Sequence, residues 1–285
     1  MSVVNTNISA SVAQAALARN DRALGTAMEQ LSTGRKINSA ADNASGLAIS
    51  TRMTSQIRGL DQAVRNANDA ISMVNTAEGA LDEITDMLQR MRELAVQSGT
   101  GTTSTNDRVF LDAEYDHLVA EIERVSANTE FNGRALLTGA AGGAATVSGV
   151  TYQVGMDPTQ TIAVDFGNMA SDATMASLNG FGLDAGTIAS AIAKSSRVIV
   201  AADVAIEAVS TQRATFGAVS NRLEHSVDNL TNVITQSEAS RSRILDTDYA
   251  ASTSELARTQ IIQQAGTAML AQANQLPATV LALLQ

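Results

Sequence analysis

From Ile188 to Ile234 the chain keeps one spacing without a slip. Ile188, Ile192, Ser195, Ile199, Ala202, Ile206, Val209, Arg213, Phe216, Ser220, Leu223, Val227, Leu230 and Ile234 follow one another at alternating steps of four and three. That is the period of a stripe along one helix face and of a coiled-coil seam. At about 1.5 Å per residue the helix it predicts is roughly 70 to 80 Å long. A helix of that length builds a rod rather than a globule, because it draws its stability from packing along its side.

Three other stretches share the period. Ile57, Leu60, Val64, Ala67, Ile71 and Val74 step by three and four, and Leu81, Ile84, Leu88 and Met91 resume one heptad later. Leu111, Tyr115, Leu118, Ile122 and Val125 mark a shorter helix. Near the C-terminus Ile262, Gly266, Met269, Ala273, Leu276, Val280 and Leu283 form a seam, and Val3, Ala10, Leu17, Leu24 and Leu31 form a thinner one near the N-terminus. No charged side chain precedes Arg19 and none follows Arg258. An apolar stripe without flanking charge is a poor free surface and a good one for burial. The two ends are therefore expected to pair, and the pair to bury itself against another copy of the chain.

Between the helices, the run from Gly99 to Ser104 reads as a turn; no Lys follows it at the spacing of a phosphate-binding loop. Gly139, Gly142 and Gly143 open the one segment that reads as strand. Val150, Tyr152 and Val154 alternate, Met156-Asp157-Pro158-Thr159 turns, and Ile162, Val164 and Phe166 alternate again, which predicts a β-hairpin. The expected fold is mainly α: long coiled-coil helices forming an elongated rod, one small hairpin, and chain ends paired in a helical domain of their own. The helices are expected at about 46–98, 107–129 and 186–242, with the hairpin at about 147–168.

Composition agrees. Of 285 residues 45% are hydrophobic but only 3% aromatic, with no Trp, so small and aliphatic side chains must do the packing. The net charge of −10 argues against nucleic acid, whose phosphates demand a basic face. Cysteine is absent, which removes disulfides and thiolate chemistry. Asn5, Thr6 and Asn7 interrupt the first apolar run, so no secretory leader is expected. Six amides between Gln260 and Gln275 argue against a membrane span in the tail.

Catalytic constellations are not found. His117 neighbours Asp116, but adjacent helical residues point in different directions. Asp82 and Asp86 share a helix face with Glu83 beside them, and a solvated surface explains them better than a cation site, which needs oxygens converging from several directions. Asp246 and Asp248 read as a helix cap or bend. No nucleophile, base and orienting group come together, so no enzyme activity, metal or cofactor is expected.

Several runs closely resemble bacterial flagellin. They include Leu31-Ser32-Thr33-Gly34-Arg35-Lys36-Ile37-Asn38-Ser39-Ala40, Gly46-Leu47-Ala48-Ile49, Glu78-Gly79-Ala80-Leu81 and Gln89-Arg90-Met91-Arg92-Glu93-Leu94-Ala95-Val96-Gln97. Phe131-Asn132-Gly133 closes that half, and Asn221-Arg222-Leu223, Ser242-Arg243-Ile244 and Leu270-Ala271-Gln272-Ala273-Asn274-Gln275 match at the other end. The resemblance covers about residues 1–139 and 205–285. It implies an inner domain of residues 1–45 with 245–285 lining a filament core, and a rod domain of residues 46–244. Core packing would fall to Leu17, Leu24, Leu31, Ile262, Met269, Leu276, Val280 and Leu283. The family is exported by the flagellar secretion apparatus, which implies an export chaperone, a filament cap and a hook–filament junction protein as partners, and an extracellular location in the filament. The junction protein, which resembles flagellin at both ends, is the alternative reading; the runs at 89–97 and 271–275 favour flagellin. Where the rod helix reads this way, the family is also sensed by a host Toll-like receptor, and the matching positions are Arg90, Leu94 and Glu114.

Overall fold

The computed structural model describes residues 7–139, 149–169, 178, 182–183 and 187–282, with side chains in the last helix described as far as Gln275. Among these residues lie five helices: α1 (Ile8–Thr33), α2 (Ala44–Ser98), α3 (Thr105–Asn128), α4 (Ile188–Leu245) and α5 (Tyr249–Ala282). Two antiparallel strand pairs accompany them, β1 (Glu130–Phe131) with β2 (Arg134–Ala135) and β3 (Gly149–Gln153) with β4 (Thr161–Asp165). The architecture is mainly α with little strand, as the periodicity predicts. Gly142, Gly143 and the first two residues of the predicted hairpin span lie outside the described residues.

Each helix end has a local cause. Asn7 caps α1 by accepting the Ala10 amide at 3.0 Å. Gly34 ends it in the left-handed region at φ 69°, its amide donating to the Gln30 carbonyl at 2.9 Å. Asn43 Oδ1 accepts the Gly46 amide at the start of α2. Ser104 and Asp107 form a reciprocal capping box on α3. Asp248 accepts the amides of Ala250 and Ala251 at the start of α5, which gives the Asp246–Asp248 stretch its role as a cap.

The chain forms two compact units, unit 1 from Met1–Ile57 with Thr235–Gln285 and unit 2 from Arg58–Ile234. The divisions fall inside α2 and α4. In unit 1 the first turns of α2 and the last turns of α4 close over the loop after α1. Ile37 of that loop is buried against the start of α2, Ile57 is buried further along α2, and Arg241 Nη1 donates to Thr54 Oγ1 at 3.4 Å. The loops on either side are stitched by backbone: Lys36 N–H donates to Leu245 O at 2.7 Å and Thr247 N–H to Gly34 O at 3.0 Å.

Unit 2 has a continuous apolar core. Leu81, Ile84, Leu88, Met91 and Leu94 of α2 meet Tyr115 and Ile122 of α3 and Val198, Ala205, Val209, Phe216 and Leu223 of α4. The hairpin lays Val150, Ile162, Val164 and Phe166 onto this core, with the Phe166 and Phe216 rings 5.5 Å apart and tilted. It is strapped down at both ends, by Asn66 Nδ2 to Gln153 O at 3.0 Å and by Gln212 Nε2 to Asp165 O at 2.7 Å. Arg213, a seam position by spacing, is not buried; it reaches out to Asp82 at 2.9 Å. The seam tolerates it because its long stem lies along the helix while its head stays in water.

The small β1–β2 pair is absent from the sequence expectation. Its turn is Asn132-Gly133, both at positive φ (53° and 73°), the backbone of a tight two-residue hairpin. The Asn-Gly dipeptide carries that signal in the sequence, but two-residue strands leave no alternation to support it.

Candidate functional site

The first candidate surface is the antiparallel pair of α1 and α5 in unit 1. Towards α5, α1 turns Ala10, Ala13, Leu17, Asn20, Leu24, Ala27 and Leu31, all buried or half-buried at steps of three and four. Leu17, Leu24 and Leu31 sit on this face as the spacing predicts. Ala13, Asn20 and Ala27 fill the alternate positions, and sequence reading missed them because small or polar side chains do not announce a seam. The facing residues of α5 are Leu256, Thr259, Gln263, Gly266, Leu270 and Ala273.

Contacts along the pair are specific. Leu17 occupies the space where Gly266 lacks a Cβ; one built there would lie 2.7 Å from Leu17 Cδ2. One turn on, the buried Asn20 amide donates to Thr259 O at 2.8 Å and to Gln263 Oε1 at 3.0 Å. Near the start of α1, Asn7 Nδ2 donates to Ala273 O at 2.7 Å.

Only part of the C-terminal seam read from the sequence meets α1. Gly266 and Ala273 do, but Ile262 and Met269 are 40% and 65% exposed. At about 100° per residue, the apolar stripe is centred roughly 60° around α5 from the face that α1 covers. Ile261, on a different side of α5, is 66% exposed, and Ile8 and Val12 of α1 are likewise exposed. The side chains of Leu276 and Val280, and the whole of Leu283, lie outside the described residues. Among the described residues, α1 thus covers one side of α5 and leaves Ile262 and Met269 open.

The second candidate surface lies on unit 2. Arg90 makes two ion pairs, to Glu114 of α3 at 2.8 Å and to Glu93 at 3.0 Å, with all three side chains substantially exposed. Leu94 is different. It is 0% exposed and belongs to the unit 2 core, so the direct receptor contact that the resemblance implies for it is corrected to a position beneath the surface. The cause is geometric: Leu94 lies on the inner face of α2 with Met91 and Ala95, while Arg90 and Glu93 lie on its flank and outer side.

Sequence reading also missed Arg108. This arginine is 1% exposed and closes the end of α2, its Nε donating to Ser98 O at 3.1 Å and its Nη2 to Thr100 O at 3.3 Å. A cation suits the partly negative carbonyl end of a helix. Burial holds two tyrosines protonated: Tyr115, whose hydroxyl donates to Leu178 O at 3.0 Å, is pushed well up, and Tyr152 is pushed up to about 12. Both side chains are packing groups, and His117 and His225 are exposed on helix surfaces. Among the described residues no three His, Asp or Glu side chains converge as a metal site, and no helix is long and apolar enough to cross a membrane.

Two family models match, the bacterial flagellin N-terminal helical region over residues 4–141 and the bacterial flagellin C-terminal helical region over residues 199–284. Similar proteins include the flagellin of Halalkalibacterium halodurans, 44% identical over 99% of this chain and 100% of that one. Flagellin A of Vibrio cholerae is 36% identical over 99% of each chain. The flagellar filament 33 kDa core protein of Treponema phagedenis is 39% identical over 99% of this chain and 100% of its own. A structural rather than catalytic role agrees with surfaces made for packing. Matched at both ends by flagellin models, and over nearly its whole length by flagellins, the chain belongs to the bacterial flagellin family, the structural subunits of the flagellar filament.

Proposed function

We propose that the chain polymerises with copies of itself into the flagellar filament used for swimming, after export through the flagellar secretion apparatus. The observation that carries this reading is the open apolar side of α5. Ile262 and Met269 are exposed although no charged residue follows Arg258 to keep that side soluble. At about 25 cal/mol per Å² of apolar surface removed from water, packing such sides against one another gives a filament core its cohesion. The predicted core set of Leu17, Leu24, Leu31, Ile262, Met269, Leu276, Val280 and Leu283 then divides into two roles. The three N-terminal leucines hold α1 to α5, and Ile262 and Met269 face a neighbouring subunit. An export chaperone, a filament cap and a hook–filament junction protein follow as partners from the family.

The test is seeded growth followed by electron microscopy. Ile262→Asp with Met269→Asp is expected to abolish elongation while leaving the unit 2 melting transition in place. Filaments of normal length from the double variant would remove the stripe from the mechanism.

Recognition by a host Toll-like receptor rests on the Arg90–Glu114 pair, which is exposed on unit 2 and matches the positions that the family uses. Leu94 acts there by supporting the helix from below. Arg90→Ala is expected to weaken receptor activation by monomer, and full activation by that variant would exclude this surface.

A further inference from the structure

We propose that Asn20 decides which face of α5 the N-terminal helix takes, and so keeps the Ile262–Met269 stripe free for a second copy of the chain; the second half of this rests on the assembly reading above. α5 offers two overlapping faces. One runs through Leu256, Thr259, Gln263 and Leu270, the other through Ile262 and Met269, and Gly266 and Ala273 belong to both. Two leucines lie on the first, and Ile262 and Met269 on the second, so burial of apolar surface alone does not choose between them. The structure places α1 on the first.

The fit of Leu17 at Gly266 does not explain the choice, since that notch serves either face. Nor does the Asn7 bond to the Ala273 carbonyl, which also sits in the shared strip. What separates the faces is polar. Asn20 is only 8% exposed, and its amide nitrogen reaches Thr259 O at 2.8 Å and Gln263 Oε1 at 3.0 Å. The Thr259 hydroxyl is already used on its own helix, donating to the carbonyls of Glu255 and Leu256, which leaves the Thr259 carbonyl and Gln263 as Asn20's partners. Rolled onto the apolar stripe, the same amide would lose the Thr259 carbonyl and the Gln263 side chain and lie beside the aliphatic side chain of Ile262. A buried donor without a partner costs its full desolvation. One polar residue in a helix seam sets register and partner choice at some expense in stability. Asn20 acts in that way, within a single chain.

The absence of cysteine makes the test direct. In the full-length chain, Ala13→Cys is combined either with Leu270→Cys, on the observed face, or with Met269→Cys, on the apolar stripe. Intrachain disulfide formation under mild oxidant is then followed by gel mobility in monomers and in filaments. With Asn20 in place the Leu270 pairing is expected to form about tenfold faster, the ratio of a single well-made buried polar contact. Asn20→Leu is expected to bring the two rates within about twofold of each other or to invert them. Gln263→Leu, which removes one acceptor and leaves α1 intact, is expected to narrow the ratio in the same direction. An unchanged ratio in both variants overturns the role of Asn20.

Seeded growth tests the second half. Asn20→Leu is expected to slow elongation several-fold, because α1 then covers the stripe that a neighbour needs. A narrowed disulfide ratio with normal elongation overturns that half alone. Failure of the unaltered chain to elongate refutes the assembly reading instead, and leaves the disulfide ratio standing as a result about the monomer.

Discussion

Unit 2 and unit 1 are both helical, yet they are built on opposite terms. Unit 2 carries its own core, in which Leu81, Ile84, Leu88, Met91, Leu136 and Leu137 are fully buried beside the packed Phe166–Phe216 pair. It also carries the charge, with eleven basic residues against twenty-two acidic, whereas unit 1 has eight against seven. Among the described residues, those buried in unit 1 are the polar Asn20, Ser50, Ser252 and Thr259 beside Ala27, Ile37, Ile57 and Ala273. A region that carries little net charge and an open aliphatic side is, on the proposed function, completed by other copies. A region with a full core and a strong net charge is made to stand in water. The contrast separates the part that carries its own core from the part to which the proposed function gives the work of assembly.

The comparison predicts that the two units break separately, and the largest effect should come from the unit 2 core. Leu88→Ala, at a fully buried position, should lower the stability of the main unfolding transition by about 2–5 kcal/mol, through lost apolar transfer and the cavity left behind. Calorimetry measures it, and a shift of under about 1 kcal/mol would mean that unit 2 does not depend on this core. Deleting residues 262–285 should do the reverse, ending filament growth while leaving that transition where it was. If the deletion moved it substantially, the division of labour would be wrong.

Arg108→Met in unit 2 should cost about 1–3 kcal/mol, because the carbonyls of Ser98 and Thr100 lose a buried donor. Hydrogen exchange in the last turn of α2 would report it. In unit 1, Gly34→Ala should cost about 1 kcal/mol, since the cap needs positive φ and a Cβ there would meet the Tyr249 hydroxyl at 3.1 Å. Helicity lost from α1, with the unit 2 transition unchanged, is the expected signature.

The smallest effect is electrostatic. The backbone amides of Ser39 and Asn38 hold the Asp42 carboxyl below its ordinary value of 3.8. A lowered native pKa means that the unfolded chain binds the proton more readily. The contribution of Asp42 is therefore present at pH values above 3.8 and fades as pH falls through the lower native value. Asp42→Asn should remove this slope from the acid melting curve of the loop at 34–43 and leave neutral behaviour nearly unchanged.

The fold was largely legible in the sequence because helical period is a local property, and here it runs for tens of residues without interruption. α2, α3 and α4 run over Ala44–Ser98, Thr105–Asn128 and Ile188–Leu245, and Val150, Ile162, Val164 and Phe166 face inward as their alternation predicts. The candidate surfaces were legible only in part. Leu17, Leu24 and Leu31 belong to the face that the heptads mark, but heptads do not reveal whether Ala13 and Asn20 complete it.

The sequence by itself determined the helices, their apolar stripes and the contrast between weakly charged ends and an acidic middle, since these follow from residue spacing and type. Only the tertiary structure decided which stripe meets which. A stripe states that a helix must be covered, not by what, and α5 carries two overlapping faces. In the structure α1 lies on the face where Asn20 finds its hydrogen bonds to Thr259 and Gln263, contacts between residues more than 230 positions apart. Leu94 shows the same limit from the other side. Its place in a recognised motif suggested contact with a partner, and packing against α3 and α4 put it inside the core. Exposure depends on what the rest of the chain brings to each helix face, and that is fixed only when the helices pack.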